Sequence, residues 1–95
     1  MKTFAIFGNP VKHSKSPAMH NNLFMQNNID AKYISICAND GMDIPDYFRS
    51  SQLSGANITV PFKEDAFLFC DDVIGLAKEA QSVNTIIKKN NTLIG

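Results

Sequence analysis

Two short runs hold the residues best suited to chemistry. In Lys12-His13-Ser14-Lys15-Ser16-Pro17, two hydroxyls one residue apart stand among lysines. The Ser-Pro pair has the form of a helix start, where unpaired backbone N–H groups and the positive end of the helix favour a small anion. A carboxylate and a phosphate fit this arrangement equally well. The plainer reading makes Ser16 an N-cap and leaves the lysines solvated. Lys15-Ser16 also has the ending of a phosphate-binding P-loop, but that loop requires glycine where this chain has Asn9 and Ser14. Without those glycines the backbone does not wrap closely around phosphates.

The second run is Asn57-Ile58-Thr59-Val60-Pro61-Phe62-Lys63. The two-residue period of a strand puts Asn57 and Thr59 on one face, and a following helical turn brings Lys63 round, so three polar groups can converge on one ligand. The alternative is a β-branched strand with a capping threonine and a solvated lysine. A cation at a helix N-terminus is disfavoured by about 0.3 to 1 kcal/mol, too little to exclude a charged lysine there. Asn84 can donate and accept hydrogen bonds at once, or simply end a strand. His13, within the first run, adjoins the anion pocket. His20 has no partner at metal-ligand spacing and suits a surface or pocket rim better than a metal site.

The elements that position these runs alternate. A strand is expected over 3–7, then a helix over 16–28 with Ser16 as N-cap, Pro17 at its first position, and Met19, Leu23 and Phe24 at helical spacing. A second strand over 32–38, a turn at Asn39-Asp40-Gly41 and a short helix over 44–50 follow. The third strand spans 56–59, a helix runs over 61–69, and Asp71-Asp72 caps another that ends at Ala80. Strands over 83–88 and 92–94, joined at Asn90-Asn91, close the chain as a hairpin. This order predicts an α/β fold with a mainly parallel sheet, helices on both faces and an antiparallel edge hairpin.

With 95 residues the chain has room for one core. Nine basic and nine acidic residues cancel, which argues against nucleic acid or an anionic membrane as partner. No apolar run approaches the roughly 20 residues of a membrane span. The apolar start is strand-length and shorter than a signal-peptide core. Cys37 and Cys70 are too few for a zinc cluster and read as reduced, buried thiols. A reducing, cytoplasmic setting is expected.

The segments 8–21, 55–67 and 82–86, reading GNPVKHSKSPAMHN, GANITVPFKEDAF and SVNTI, resemble in that order the substrate-binding domain of shikimate dehydrogenase. The resemblance covers essentially the whole chain. It implies that Ser14 and Ser16 hold the carboxylate of shikimate, that Thr59 and Asn84 bind its ring hydroxyls with Asn57 beside them, and that Lys63 is the catalytic lysine. The reaction it implies is reversible reduction of 3-dehydroshikimate by NADPH, a step of aromatic amino-acid biosynthesis. Shikimate carries one carboxylate and several hydroxyls, and the two runs offer an anion pocket together with hydrogen-bond partners for such a ring.

The resemblance also implies parts not found between residues 1 and 95. In the family a Gly-x-Asn-Thr-Asp motif and a C-terminal Rossmann domain follow, and that domain binds most of the NADP. No Gly-x-Gly-x-x-Gly run occurs in this sequence. The expectation is therefore a substrate-binding fragment, inactive alone, that binds shikimate or 3-dehydroshikimate and works with the Rossmann domain of the same enzyme; formation of a homodimer stays open. Gln81-Ser82 stands where a Gly-Ala pair is common, and Gly75 where some members carry a polar side chain facing the cofactor. Two other readings share these motifs: a quinate/shikimate dehydrogenase using NAD, and a non-catalytic module that binds a hydroxylated carboxylate.

Overall fold

The strand Lys2–Gly8 (β1) lies in the interior of a five-stranded sheet, and its sequence shows why. Phe4 and Ile6 alternate with Ala5 and Phe7, so both faces of the strand are apolar, as an interior strand covered on both sides requires. The computed structural model describes residues 1–95. After β1 come helix α1 (Ser16–Gln26), strand β2 (Ala31–Cys37), a 3-10 turn (Gly41–Asp43) running into helix α2 (Ile44–Ser50), and strand β3 (Leu53–Ile58). Helices α3 (Lys63–Phe69) and α4 (Leu76–Ala80) precede strands β4 (Thr85–Lys89) and β5 (Thr92–Ile94).

The sheet order is β2-β1-β3-β4-β5. β1 pairs in parallel with β2 and β3, whereas β4 is antiparallel to both β3 and β5. The sheet is therefore mixed, which corrects the expected mainly parallel arrangement; the edge hairpin β4–β5 is present. The cause lies between β3 and β4. A parallel crossover uses one long leg to carry the chain back along the sheet, but here α3 and α4 form two short legs that return it to the end it left. Val83 N donates to Lys63 O at 2.9 Å, joining the exit of that excursion to its entry.

Helices cover both faces. On one, Phe48 of α2 lies 6.1 Å from the Phe7 ring, and Ile44, Leu53, Val83 and Ile86 are fully buried in the same cluster. On the other, Ile6, Val11 and Tyr33 form a smaller cluster with Phe4 and Phe24. Helix α1 covers this second face thinly. It has no buried residue; Phe24 meets Phe4 at 6.0 Å, while Met19 and Leu23, which share its helical spacing, stay about half exposed.

Several local expectations change. Lys15 occupies the N-cap of α1, and the Ser14 Oγ accepts from Ser16 N at 3.2 Å, so Ser14 does the capping foreseen for Ser16. Gly75, not the Asp71-Asp72 pair, precedes α4 as its N-cap, with φ of 64°, a left-handed conformation that glycine tolerates. Asp71 instead accepts from Leu93 N at 2.8 Å and donates its own N–H to Leu93 O at 2.9 Å, which pins this segment to β5. β3 starts at Leu53, earlier than expected: Ser54 and Gly55 carry no strand signal, yet Gly55 pairs with Phe4, and a Cβ there would sit 3.0 Å from Ile86 O of the neighbouring strand. Both cysteines are free, but Cys37 is exposed and Cys70 half-buried, so neither is the buried thiol expected. No helix is long and apolar enough to cross a membrane.

Candidate active site

The carboxyl ends of β1 and β3 lie side by side, and the loops that leave them are joined. Thr59 N donates to Phe7 O at 2.9 Å, and Asn9 N donates to Val60 O at 3.2 Å. Ligand groups in open α/β sheets gather at such strand ends. The antiparallel β4 strengthens the effect, because its amino end meets the carboxyl end of β3: Ile58 N donates to Asn84 O at 2.8 Å. Ser14, Ser16, Thr59, Lys63 and Asn84 thereby come from segments that begin or end at one edge of the sheet.

Ser14 and Thr59, both half-buried, line one cavity of about 290 Å³ with Ile6, Pro10, Val11 and His13. The helix backbone contributes less to an anion pocket than its position suggests. Ser16 N is taken by Ser14 Oγ, Met19 N by Lys15 O, and Pro17 has no N–H. Because the Ser14 oxygen accepts from the backbone, its own proton is left to donate, and anion recognition here falls to hydroxyls. Ser16 is half-buried at the first position of α1, just beyond the residues that line the cavity.

A wider groove of about 690 Å³ runs beside it over β3 and β4, lined in part by His20, Tyr33, Asn57 and Thr85. The half-buried Asn57 accepts from Tyr33 OH at 2.7 Å through Oδ1 and donates to Thr85 Oγ1 at 3.3 Å through Nδ2. Thr85 in turn donates to Asn84 Oδ1 at 3.2 Å. Asn57 and Asn84 are thus connected by way of Thr85, and Asn84 remains exposed. Lys63 opens α3, half-buried, with no carboxylate at ion-pair distance. The six residues singled out in the sequence divide into the Ser14–Thr59 cavity, the Asn57–Asn84 row, and Ser16 and Lys63 at the starts of α1 and α3.

Three contributors, Tyr33, Asn21 and Thr85, were missed in the sequence. Tyr33 is 4% exposed, and burial pushes its phenol pKa upward. Its backbone is held at both groups by the Asn21 amide, and its ring stacks on His20 at 4.4 Å. Thr85 directly follows Asn84, a polar pair that signals a shared network; nothing local in the sequence points Tyr33 at Asn57.

Hydroxyls, amides and a lysine thus gather at the strand ends of an α/β domain, two of the hydroxyls in one cavity. The chain belongs to the family described as the shikimate dehydrogenase substrate binding domain, whose match covers residues 6–86. It is similar to the shikimate dehydrogenase (NADP(+)) of Helicobacter hepaticus, 44% identical over 93 residues, which are 97% of this chain and 35% of that protein. The enzyme of the same name from Pyrococcus abyssi is 42% identical over all of this chain and 36% of its own length. Among solved structures, shikimate dehydrogenase 1 of Peptoclostridium difficile superimposes with a TM-score of 0.92 at 31% identity, covering 100% of this chain and 37% of that one. Shikimate 5-dehydrogenase of Thermus thermophilus, solved in complex with shikimate, gives 0.89 at 31% identity, with 100% and 37% covered. The chain spans little more than a third of the length of these relatives.

Proposed function

We propose that the protein to which this chain belongs is an NADP-dependent shikimate dehydrogenase, and that residues 1–95 form its substrate-binding domain. The observation that carries this is the cavity shared by Ser14 and Thr59, in a chain of the shikimate dehydrogenase family. Ser14 and Ser16 donate to the substrate carboxylate. Thr59, Asn57 and Asn84 orient the ring hydroxyls. Lys63 faces the oxygen on which charge develops, donates the proton as 3-dehydroshikimate is reduced, and accepts one when shikimate is oxidised.

NADPH is the hydride source in that reaction. The residues of this chain do not suit a dinucleotide cradle: after β1 the backbone passes through Asn9-Pro10, and the Asn9 amide is committed to Ala38 O at 3.0 Å. Nucleotide binding therefore belongs to a second domain of the same protein. The test is the full-length protein assayed with shikimate and NADP+, in the cytoplasmic conditions of a biosynthetic enzyme. Shikimate-dependent formation of NADPH supports the reading; no NADP+ reduction with shikimate overturns it.

A further inference from the structure

Four side chains between the middle of β2 and the start of β4 form a row of hydrogen bonds that all run one way. Tyr33 OH donates to Asn57 Oδ1, Asn57 Nδ2 to Thr85 Oγ1, and Thr85 Oγ1 to Asn84 Oδ1. Each link determines the next, because a phenol or threonine hydroxyl has one proton to give and an amide has one accepting and one donating end. With Asn57 Oδ1 taken by the phenol proton, the Asn57 NH2 must face Thr85. The Thr85 oxygen then receives, and its proton goes to Asn84, which turns the accepting end of Asn84 toward Thr85.

We propose that Tyr33 is a positioning residue that acts through Asn57 and Thr85 to hold Asn84 with its amide NH2 toward the substrate. The role rests on the shikimate dehydrogenase reading. Such donors match the hydroxyl and carbonyl oxygens of either substrate, whereas a freely turning amide would present the wrong end part of the time. The start of the row is well anchored: Asn21 holds the Tyr33 backbone at 2.8 Å in both directions, and His20 stacks on its ring. The end is exposed, where a ligand can reach it. Removing the phenol proton frees Asn57 to turn its oxygen toward Thr85, which withdraws the Thr85 proton from Asn84.

The full-length enzyme tests this with Tyr33→Phe, Thr85→Val, Thr85→Ser and the Tyr33→Phe/Thr85→Val pair. Tyr33→Phe and Thr85→Val are each expected to raise the KM for shikimate about tenfold, with the KM for NADP+ unmoved. Thr85→Ser, which keeps the hydroxyl, restores the parent value, and the pair is no worse than either change alone because both cut one row. A folded Tyr33→Phe enzyme with the parent KM for shikimate overturns the role, as does a pair whose effects multiply. Should Tyr33→Phe fail to fold, the contrast between Thr85→Val and Thr85→Ser at an exposed position decides: equal KM values overturn the role and a tenfold gap supports it. A parent enzyme inert toward shikimate overturns the functional reading itself, an outcome distinct from an active parent insensitive to these changes.

Discussion

The side-chain amide of Asn21 satisfies both backbone groups of Tyr33, its Nδ2 donating to Tyr33 O and its Oδ1 accepting from Tyr33 N, each at 2.8 Å. β2 is an edge strand, so the two contacts cover one pair of groups that no neighbouring strand reaches and tie α1 to the sheet. Asn21→Ala is expected to destabilise the fold by about 1 to 3 kcal/mol, since two backbone groups of a buried residue lose their partner. Urea unfolding checks this, and a change below about 0.5 kcal/mol would show the latch to be dispensable.

Lys63→Ala in the full-length enzyme is expected to lower kcat by about 10²- to 10⁴-fold, the range for loss of a general acid–base group, while the KM for shikimate changes far less. Steady-state kinetics in the shikimate-oxidising direction measure both. A retained kcat would remove Lys63 from the proton transfer.

Replacing Ser14 and Ser16 together by Ala is expected to weaken shikimate binding by about 10- to 100-fold, as hydrogen bonds to a charged group are lost. Binding of an analogue lacking the carboxylate should barely change. Calorimetric titration with both ligands checks this; equal losses for the two would separate the serines from the carboxylate.

Gly8 closes β1 against Thr59, where an added Cβ would sit 2.5 Å from Thr59 Cγ2. Gly8→Ala is expected to cost about 1 to 3 kcal/mol through overpacking and to weaken shikimate binding, because the side chain that must yield lines the cavity. Thermal unfolding and ligand titration of one variant measure both effects. Unchanged binding in a destabilised variant would show that Thr59 does not touch the ligand.

Burial, with the nearby Asp71 carboxylate adding to it, pushes the Cys70 thiol up to about 11, above its ordinary value of 9.0. The folded state therefore keeps this proton at a pH where the unfolded chain loses it, so stability is fully present below about pH 9 and falls as pH rises through about 11. Thermal midpoints measured across that window should fall less steeply for Cys70→Ser than for the parent chain. The exposed Cys37 should be alkylated faster than the half-buried Cys70 near pH 8, and peptide mapping of the labelled protein distinguishes the two.

The local signals in the sequence were strong wherever a period or a turn residue marked an element. The strand of β1, the helix beginning at the Ser-Pro pair and the terminal hairpin all stand close to where their residues place them. The direction of β4 was not legible, because a strand of the same composition can run either way; it depends on how far α3 and α4 carry the chain, a sum over tertiary contacts. Likewise Ser14, Ser16 and Thr59 announced themselves as hydroxyls beside helix starts. Tyr33 did not, since an aromatic residue in a β-rich run has packing as its ordinary explanation, and only the pairing of β2 with β1 and of β1 with β3 brings its hydroxyl to Asn57. The cap at α1 moved from Ser16 to Ser14 for a similar reason: the loop's course, set by Val11 O receiving Ser14 N at 2.9 Å, decides which oxygen meets the free amide.

The bond between Val83 N and Lys63 O closes the α3–α4 excursion at its neck. Residues 64–82 leave and re-enter through a single gate, so the spacing between the lysine and Asn84 is measured across that gate and not along the intervening chain. The two residues that flank its mouth are consequently held by that neck, while the turn between α3 and α4 is held separately by its bonds to β5.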